Sequence, residues 1–269
     1  MSRWQTSLSA PLLAVAVMWQ AGGPATQPIV GYVANAGMLV SVDGRHFLID
    51  APIRNGIEPY PTGSREERVR LETARPPYDG VDAILITHWH EDHFSAEAIA
   101  AHLSANQRAI VISSPEVIDR IRAIAPRLSA SRFRPYLPTP GQAGMTRVGD
   151  VPVRVLRIRH NPTRRLPEQH VGFLIGETRA VLHVGDADPV PGNFAVLASM
   201  PRVDLALLPY WYVLTEKSRQ MVTTAIAPRQ VVAMHLPLAE TDTLTAALRN
   251  AALRVSAPGT AGHVVDLTR

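Results

Sequence analysis

Cysteine is absent from all 269 residues. Disulfides, thiolate metal ligands and a cysteine nucleophile are therefore excluded, and any metal must be held by nitrogen and oxygen. A block of basic residues is missing too. The formal charge is +4 and the arginines are scattered, densest between Arg154 and Arg165. That distribution gives no footing for a nucleic-acid partner. Past residue 28 no apolar run is long enough to cross a bilayer. No clear linker divides the chain, so one domain is expected. With 46% hydrophobic and 19% charged residues, the chain has the composition of a folded globular protein and enough length to bury a full core.

The N-terminus stands apart. Arg3 precedes an apolar stretch from Leu8 to Trp19, and small residues follow at Ala21, Gly22, Gly23 and Ala25. This pattern reads as a secretory signal over residues 1–25, although no clean A-x-A cleavage site is visible. The alternative is an N-terminal helix packed on the domain. Export predicts a periplasmic or secreted protein, with no membrane span once the signal is removed. A retained N-terminus would place the protein in the cytoplasm. The absence of cysteine suits an oxidising compartment.

From residue 29 the text becomes α/β. IVGYVA, GMLVSV and HFLIDA read as successive strands, with a turn at Asp43-Gly44. Residues 52–80 read as a long loop, of the kind that is often functional. VDAILIT (81–87) has the continuous apolar run of a buried strand. A helix is expected from Ser95 to Leu103, with Ser95 as N-cap. AIVIS (109–113) reads as a strand, and a helix begins at Ser114-Pro115-Glu116. The run 126–145 looks like loop. VPVRVLRI (151–158), VGFLIG and AVLHVG are strands, the last two forming a pair. A second α/β round follows: strand VDLALLP, helix Glu216 to Ala227, strand QVVAMHL, helix Thr241 to Ala252 and strand HVVDL. No sequence repeat is visible. The order nevertheless suggests two related halves, with two packed sheets and helices outside.

The chemistry concentrates in His88-Trp89-His90-Glu91-Asp92-His93, directly after the buried strand. On a strand, His88 and His90 face the same way. Where the chain then turns, Asp92 and His93 can swing to a second point. Imidazole and carboxylate suit zinc, and also manganese or iron. More such residues follow at strand ends: His160 after VPVRVLRI, Asp186 after AVLHVG and His235 after QVVAM. Active sites of α/β architectures gather at strand ends.

The complete H-x-H-x-D-H signature, the later histidine, Gly185-Asp186 and Met234-His235-Leu236 together resemble the metallo-β-lactamase fold superfamily over residues 29–269. The resemblance implies a four-layer αβ/βα sandwich, an α/β (α+β) fold. It implies two divalent metal ions, zinc first, with manganese or iron as alternatives. His88, His90 and His160 would hold one ion, Asp92, His93 and His235 the other, and Asp186 would bridge them. A hydroxide shared by the metals would attack the substrate, while Asp92 orients it and relays a proton. The β-lactamases have no aspartate at the position of Asp186. Lactonases, glyoxalase-type thioesterases and phosphodiesterases do. The third histidine is followed by Asn161-Pro162-Thr163 rather than Thr-x-Gly. FLIDAP, a long loop and the histidine motif are similar to the branch of ascorbate-6-phosphate lactonase and the N-acyl-phosphatidylethanolamine phospholipase D enzymes. A small-molecule ester, lactone or phosphodiester is the expected substrate. The alternatives are a β-lactamase-like amide hydrolase, a non-catalytic metal-binding protein and a di-iron redox protein. The last would need a flavin partner.

Other residues take second place. His170 competes with His160 as third ligand or binds substrate; His160 is favoured because it follows a strand directly. Asp50 orients a ligand histidine or merely ends a strand. His183, inside a strand, reads as packed. Tyr210 and Trp211 line a substrate pocket or the rim beside it. Arg164 and Arg165 meet an anionic substrate or only solvent. His46, His102 and His263 read as surface residues.

Overall fold

The computed structural model describes residues 28–162 and 168–237, with the backbone of 255–256 and 264–265. The expected signal segment, Arg164, Arg165, the helix from Thr241 to Ala252 and His263 lie outside the described residues.

Among the described residues, fourteen strands form two sheets of seven. The first half of the chain supplies β1 (Ile29–Ala34), β2 (Gly37–Val42), β3 (Arg45–Ile49), β4 (Ala83–Ile86), β5 (Ile110–Ser113) and β6 (Phe133–Pro135). The second half supplies β7 (Ala143–Val148), β8 (Val151–Leu156), β9 (Gly172–Ile175), β10 (Ala180–His183), β11 (Val203–Pro209), β12 (Gln230–Met234), β13 (Val255–Ser256) and β14 (Val264–Val265). The sheet orders are β14-β1-β2-β3-β4-β5-β6 and β13-β12-β11-β10-β9-β8-β7. Each half begins antiparallel and turns parallel, at β3·β4 in the first sheet and β10·β11 in the second. The two halves expected from element order are thus two similarly wound sheets. The last strand crosses over: β14 pairs with β1, Val30 opposite Val265. At the β2–β3 turn, Asp43 (φ 47°) and Gly44 (φ 77°) take the paired positive angles that a tight hairpin demands.

Alternation along the strands builds the layers. Phe47, Ile49, Ala83 and Leu85 point inward and meet Phe173, Ile175, Val181, Leu205 and Leu207 of the other sheet. Their neighbours Leu48, Ile84 and Ile86 point outward, onto α1 (Arg65–Glu72), α2 (Ala96–Ala105) and α3 (Pro115–Ile124). On the far side Leu174, Leu182, Ala206 and Leu208 meet α4 (Pro191–Phe194), α5 (Trp211–Leu214) and α6 (Glu216–Met221). Because β4 is covered on both faces, all four of its residues are apolar. The architecture is the four-layer αβ/βα sandwich. Ser95 and Ser114 cap α2 and α3, accepting from the amides of Ala98 and Val117.

Three local readings need correction. The segment 52–80 is not all loop: α1 lies within it, capped by Ser64. Only Leu71 of this helix is buried, so it carries almost no apolar stripe to reveal it. The segment 126–145 contains β6 and the start of β7, an edge strand with most of its residues open to solvent. Half-solvated edges have little apolar signal. His102 is fully buried, not a surface residue. It sits on the inner face of α2, where its Nδ1–H donates to the Leu71 carbonyl at 2.6 Å, tying α2 to the end of α1.

Leu85 lies at the centre of the contact between the sheets and is fully buried. Leu85→Ala is expected to lower unfolding free energy by about 2–5 kcal/mol in a urea titration.

Candidate metal centre

Each candidate ligand stands just beyond a strand: His88 and His90 after β4, His160 after β8, Asp186 after β10 and His235 after β12. The edge where the two sheets meet gathers them. Asp50, at the end of β3, fixes the first group. Its carboxylate accepts the Thr87 amide at 2.8 Å on Oδ1, and the Thr87 hydroxyl at 2.6 Å and His93 Nδ1–H at 2.9 Å on Oδ2. With the hydroxyl proton committed to Asp50, Thr87 Oγ1 accepts from His88 Nδ1 at 2.9 Å. Both rings therefore turn Nε2 toward the cleft, His88 Nε2 lying 2.9 Å from His90 Nδ1. His160 Nδ1–H is held by the carbonyl of Asn161, which leaves its Nε2 free.

Two clusters result. Ligand atoms of His88, His90 and His160 lie within 4.8 Å of one another, as do those of Asp92, His93 and His235. A third grouping of Asp50, His88 and His93 meets the same distance. Asp50 is saturated by the hydrogen bonds above, so it supports ligands rather than acting as one. Asp186 stands between the clusters. Its Oδ1 is 3.3 Å from His93 Nε2, and its Oδ2 is 3.4 Å from His235 Nε2 and 3.9 Å from His160 Nε2.

The donor set fits divalent cations. His93 Nε2, His160 Nε2, His235 Nε2 and Asp186 Oδ1 are buried and make no well-aligned hydrogen bond, although His235 Nε2 lies 3.1 Å from Asp92 Oδ2. Orphaned atoms of this kind cost about 1–3 kcal/mol each in a packed interior. Here they converge, and a cation with nitrogen and oxygen preference would satisfy them together.

His170 is buried beside this centre, with ring centroids 5.0 Å from His88 and 5.2 Å from His160. The geometry groups His160, not His170, with His88 and His90. Strand β8 stops at Leu156, and His160 is held instead by an isolated bridge to Ala187. The Asn161 amide also donates to the Asp186 carbonyl at 2.7 Å. His170 Nδ1–H donates to the Ile158 carbonyl at 3.0 Å, and its Nε2 abuts Gly185. A Cβ at Gly185 (φ +55°) would lie 2.6 Å from Thr87 Oγ1 and 2.8 Å from His170 Nε2. The glycine before Asp186 is thus required both by its backbone angle and by space. His183 is a packed histidine, bonded to the Ala36 carbonyl and the Gly185 amide.

The β1–β2 turn contributes a residue that pattern reading missed. Asn35 (φ 47°) donates through Nδ2 to Asp92 Oδ2 and to the Asp92 carbonyl, both at 3.1 Å. Its own carbonyl accepts the His235 amide at 3.2 Å, where His235 has φ 61°. An asparagine at a tight turn signals positive φ, but nothing local announces its distant partners. Tyr60, from the segment after β3, was also missed. Its ring meets His235 edge-on, centroids 4.0 Å apart. Trp211 approaches the same imidazole at 5.1 Å, and Tyr210 packs on Trp211 at 5.4 Å.

The two clusters differ electrostatically. Burial, with His93 and His170 nearby, pushes the His88 pKa well below the usual histidine value. Burial also lowers His160, against the pull of Asp186. Burial and His160 bring His170 to about 3. These rings are neutral and ready to ligate. Burial opposes protonation of His93 and His235 too, but Asp186, helped by Asp92, overcomes it and raises both. Burial pushes Asp186 upward, yet His235 and His93 hold it well below the usual carboxylate range.

Comparison with known proteins identifies the family of this fold. The Beta-lactamase superfamily domain matches residues 45–252. A UPF0173 protein of Pyrococcus abyssi is 30% identical over 210 residues, covering 77% of this chain and 82% of its own length. A UPF0173 metal-dependent hydrolase of Hyperthermus butylicus is 27% identical over 183 residues, covering 67% and 70%. Among solved structures, Igni18, a metallo hydrolase of Ignicoccus hospitalis, superposes with a TM-score of 0.62 at 18% identity, over 89% of this chain and 98% of that one.

Two outcomes follow from this arrangement. Asp50→Asn keeps the shape at the end of β3 but weakens its hold on His93 and Thr87, and zinc affinity by chelator competition should fall about 10–100-fold. His93 and His235 retain protons to higher pH than ordinary histidines, so metal uptake at their cluster must displace protons. Its affinity should therefore weaken first as pH falls, before that of the His88–His90–His160 cluster. Calorimetric zinc titrations at several pH values, in buffers of different ionisation heat, would show this.

Proposed function

This chain belongs to the metallo-β-lactamase fold superfamily, and on that footing we propose that it is a binuclear metal-dependent hydrolase of a small ester, lactone or phosphodiester. One observation carries the binuclear part: two ligand clusters share a single carboxylate, Asp186, placed between them. His88, His90 and His160 would hold one cation, and Asp92, His93 and His235 the other. When bound, such a pair lowers the pKa of a water and polarises the carbonyl or phosphoryl oxygen of the substrate, with zinc the first choice.

The chain's own groups do the rest. Asp92 is only 4% exposed, and Asn35 pins one of its oxygens. It would orient the attacking water and take its proton. The water oxygen bonds to the carbonyl carbon or phosphorus, the bond to the leaving oxygen breaks, and Asp92 passes the proton to that oxygen. Asp50 keeps His93 from rotating directly and His88 through Thr87, so the reacting atoms would meet a fixed geometry. Trp211 and Tyr210, beside His235, offer an apolar wall for a substrate substituent.

Purified protein loaded with zinc should hold about two ions per chain by elemental analysis. It should also hydrolyse at least one class in a panel of lactones, aryl esters, thioesters and aryl phosphodiesters. Asp186→Ala should lose one ion and most of that activity; full activity would refute the shared-carboxylate assignment. Rapid nitrocefin cleavage with no esterase or phosphodiesterase activity would favour the amide-hydrolase alternative. A protein inert after addition of zinc, manganese or iron would refute the reading altogether.

A further inference from the structure

The ring of Tyr60 touches a candidate ligand ring, that of His235. It lies at the tip of the segment between β3 and α1, and that segment is braced on both sides. Arg54 binds Glu72 of α1 through two contacts of 2.7 and 2.8 Å. Arg68, also on α1, donates to Thr62 at 3.0 Å. The Tyr60 amide closes a turn onto the Ile57 carbonyl at 2.9 Å. The ring is thereby set edge-on against His235, at 79° between planes. Burial first, then Tyr210, Asp186 and Asp92, push the pKa of its phenol up to about 12. It nevertheless makes no hydrogen bond among the described residues, and the side chain is only half-buried.

A braced tyrosine with an uncommitted hydroxyl at the mouth of a hydrolytic centre has a plain chemical use. A phenol is protonated at neutral pH and can donate. It is held by its ring, so donating requires no reorganisation. Asp92 and His93 lie on the side of His235, so the group to be stabilised is one at the Asp92–His93–His235 cluster. Hydrolysis of a carbonyl or phosphoryl compound builds negative charge on a substrate oxygen there.

We propose that Tyr60 is a substrate-facing hydrogen-bond donor that stabilises the oxyanion developing on the substrate during hydrolysis. The inference rests on the hydrolase reading above and adds to it a residue from outside the ligand set. Its O–H bond stays intact throughout. The proton of the attacking water travels through Asp92 to the leaving oxygen, and Tyr60 only donates a hydrogen bond.

Tyr60→Phe isolates the hydroxyl, because the ring remains against His235. Phenylphosphonate presents tetrahedral anionic oxygens and serves as the probe. Titrated calorimetrically into zinc-loaded protein, it should bind Y60F about tenfold more weakly than wild type. Zinc content and thermal midpoint should be unchanged. On whichever ester or phosphodiester the wild type cleaves, kcat should fall on the order of 100-fold with little change in KM. Equal phosphonate affinity in the two proteins would overturn the proposal, and so would a wild type that does not bind it. Zinc loss in Y60F as large as in Tyr60→Ala would also overturn it, by showing the residue to be a structural support. A wild type that binds phosphonate through Tyr60 but cleaves no substrate in the panel would instead count against the hydrolase reading.

Discussion

The carboxylate of Asp50 is the contact on which the centre depends. It joins the end of β3 to the start of the histidine motif through the Thr87 amide and hydroxyl, and it sets the tilt of His93. Through Thr87 its influence reaches His88. A buried carboxyl group is costly unless its oxygens are hydrogen-bonded. Here three donors fill them, and each donor belongs to the machinery. A side chain that is costly to bury thus also decides which nitrogen His93 and, through Thr87, His88 present.

Around that anchor, the sheet architecture supplies convergence. β4 can be wholly apolar because helices cover one face and the opposite sheet covers the other. Its polar residues can then appear only where the strand ends. The same logic applies to β10 and β12 in the second sheet, where Asp186 and His235 emerge. The site is thus a product of burial. Polar groups are expelled from the sandwich interior and collect along one edge, where some of their contacts cross between the halves. Asn35 shows this most directly, reaching Asp92 with its side chain and His235 with its carbonyl.

Much of this was legible in the sequence, and the rest was hidden for identifiable reasons. The continuous run VDAILIT announced a strand buried on both faces, and HWHEDH directly after it announced ligand chemistry. Alternation in VPVRVLRI and the Asp43-Gly44 turn were equally readable. The helix Arg65–Glu72 was not, because a helix that buries one leucine leaves no periodic signature. The edge strand Ala143–Val148 was missed for the same lack of apolar contrast. His102 looked solvent-facing because its partner, the Leu71 carbonyl, is a backbone group 31 residues away. Asn35 and Tyr60 belong to the same class. Their importance lies in contacts across the fold, and no local pattern encodes those.

The division of the candidate ligands between the halves has a practical consequence. The segment through β6 carries His88, His90, Asp92 and His93, whereas the segment from β7 onward carries His160, Asp186 and His235. The connection between them runs past Pro140 and Gly141, at an exposed turn. A chain cut there would yield two fragments, each with an incomplete cage. The later fragment would also lend β14 to the earlier fragment's sheet. Tethered to two interacting proteins, such fragments would form a conditional reporter that gains its centre only when the tethers meet.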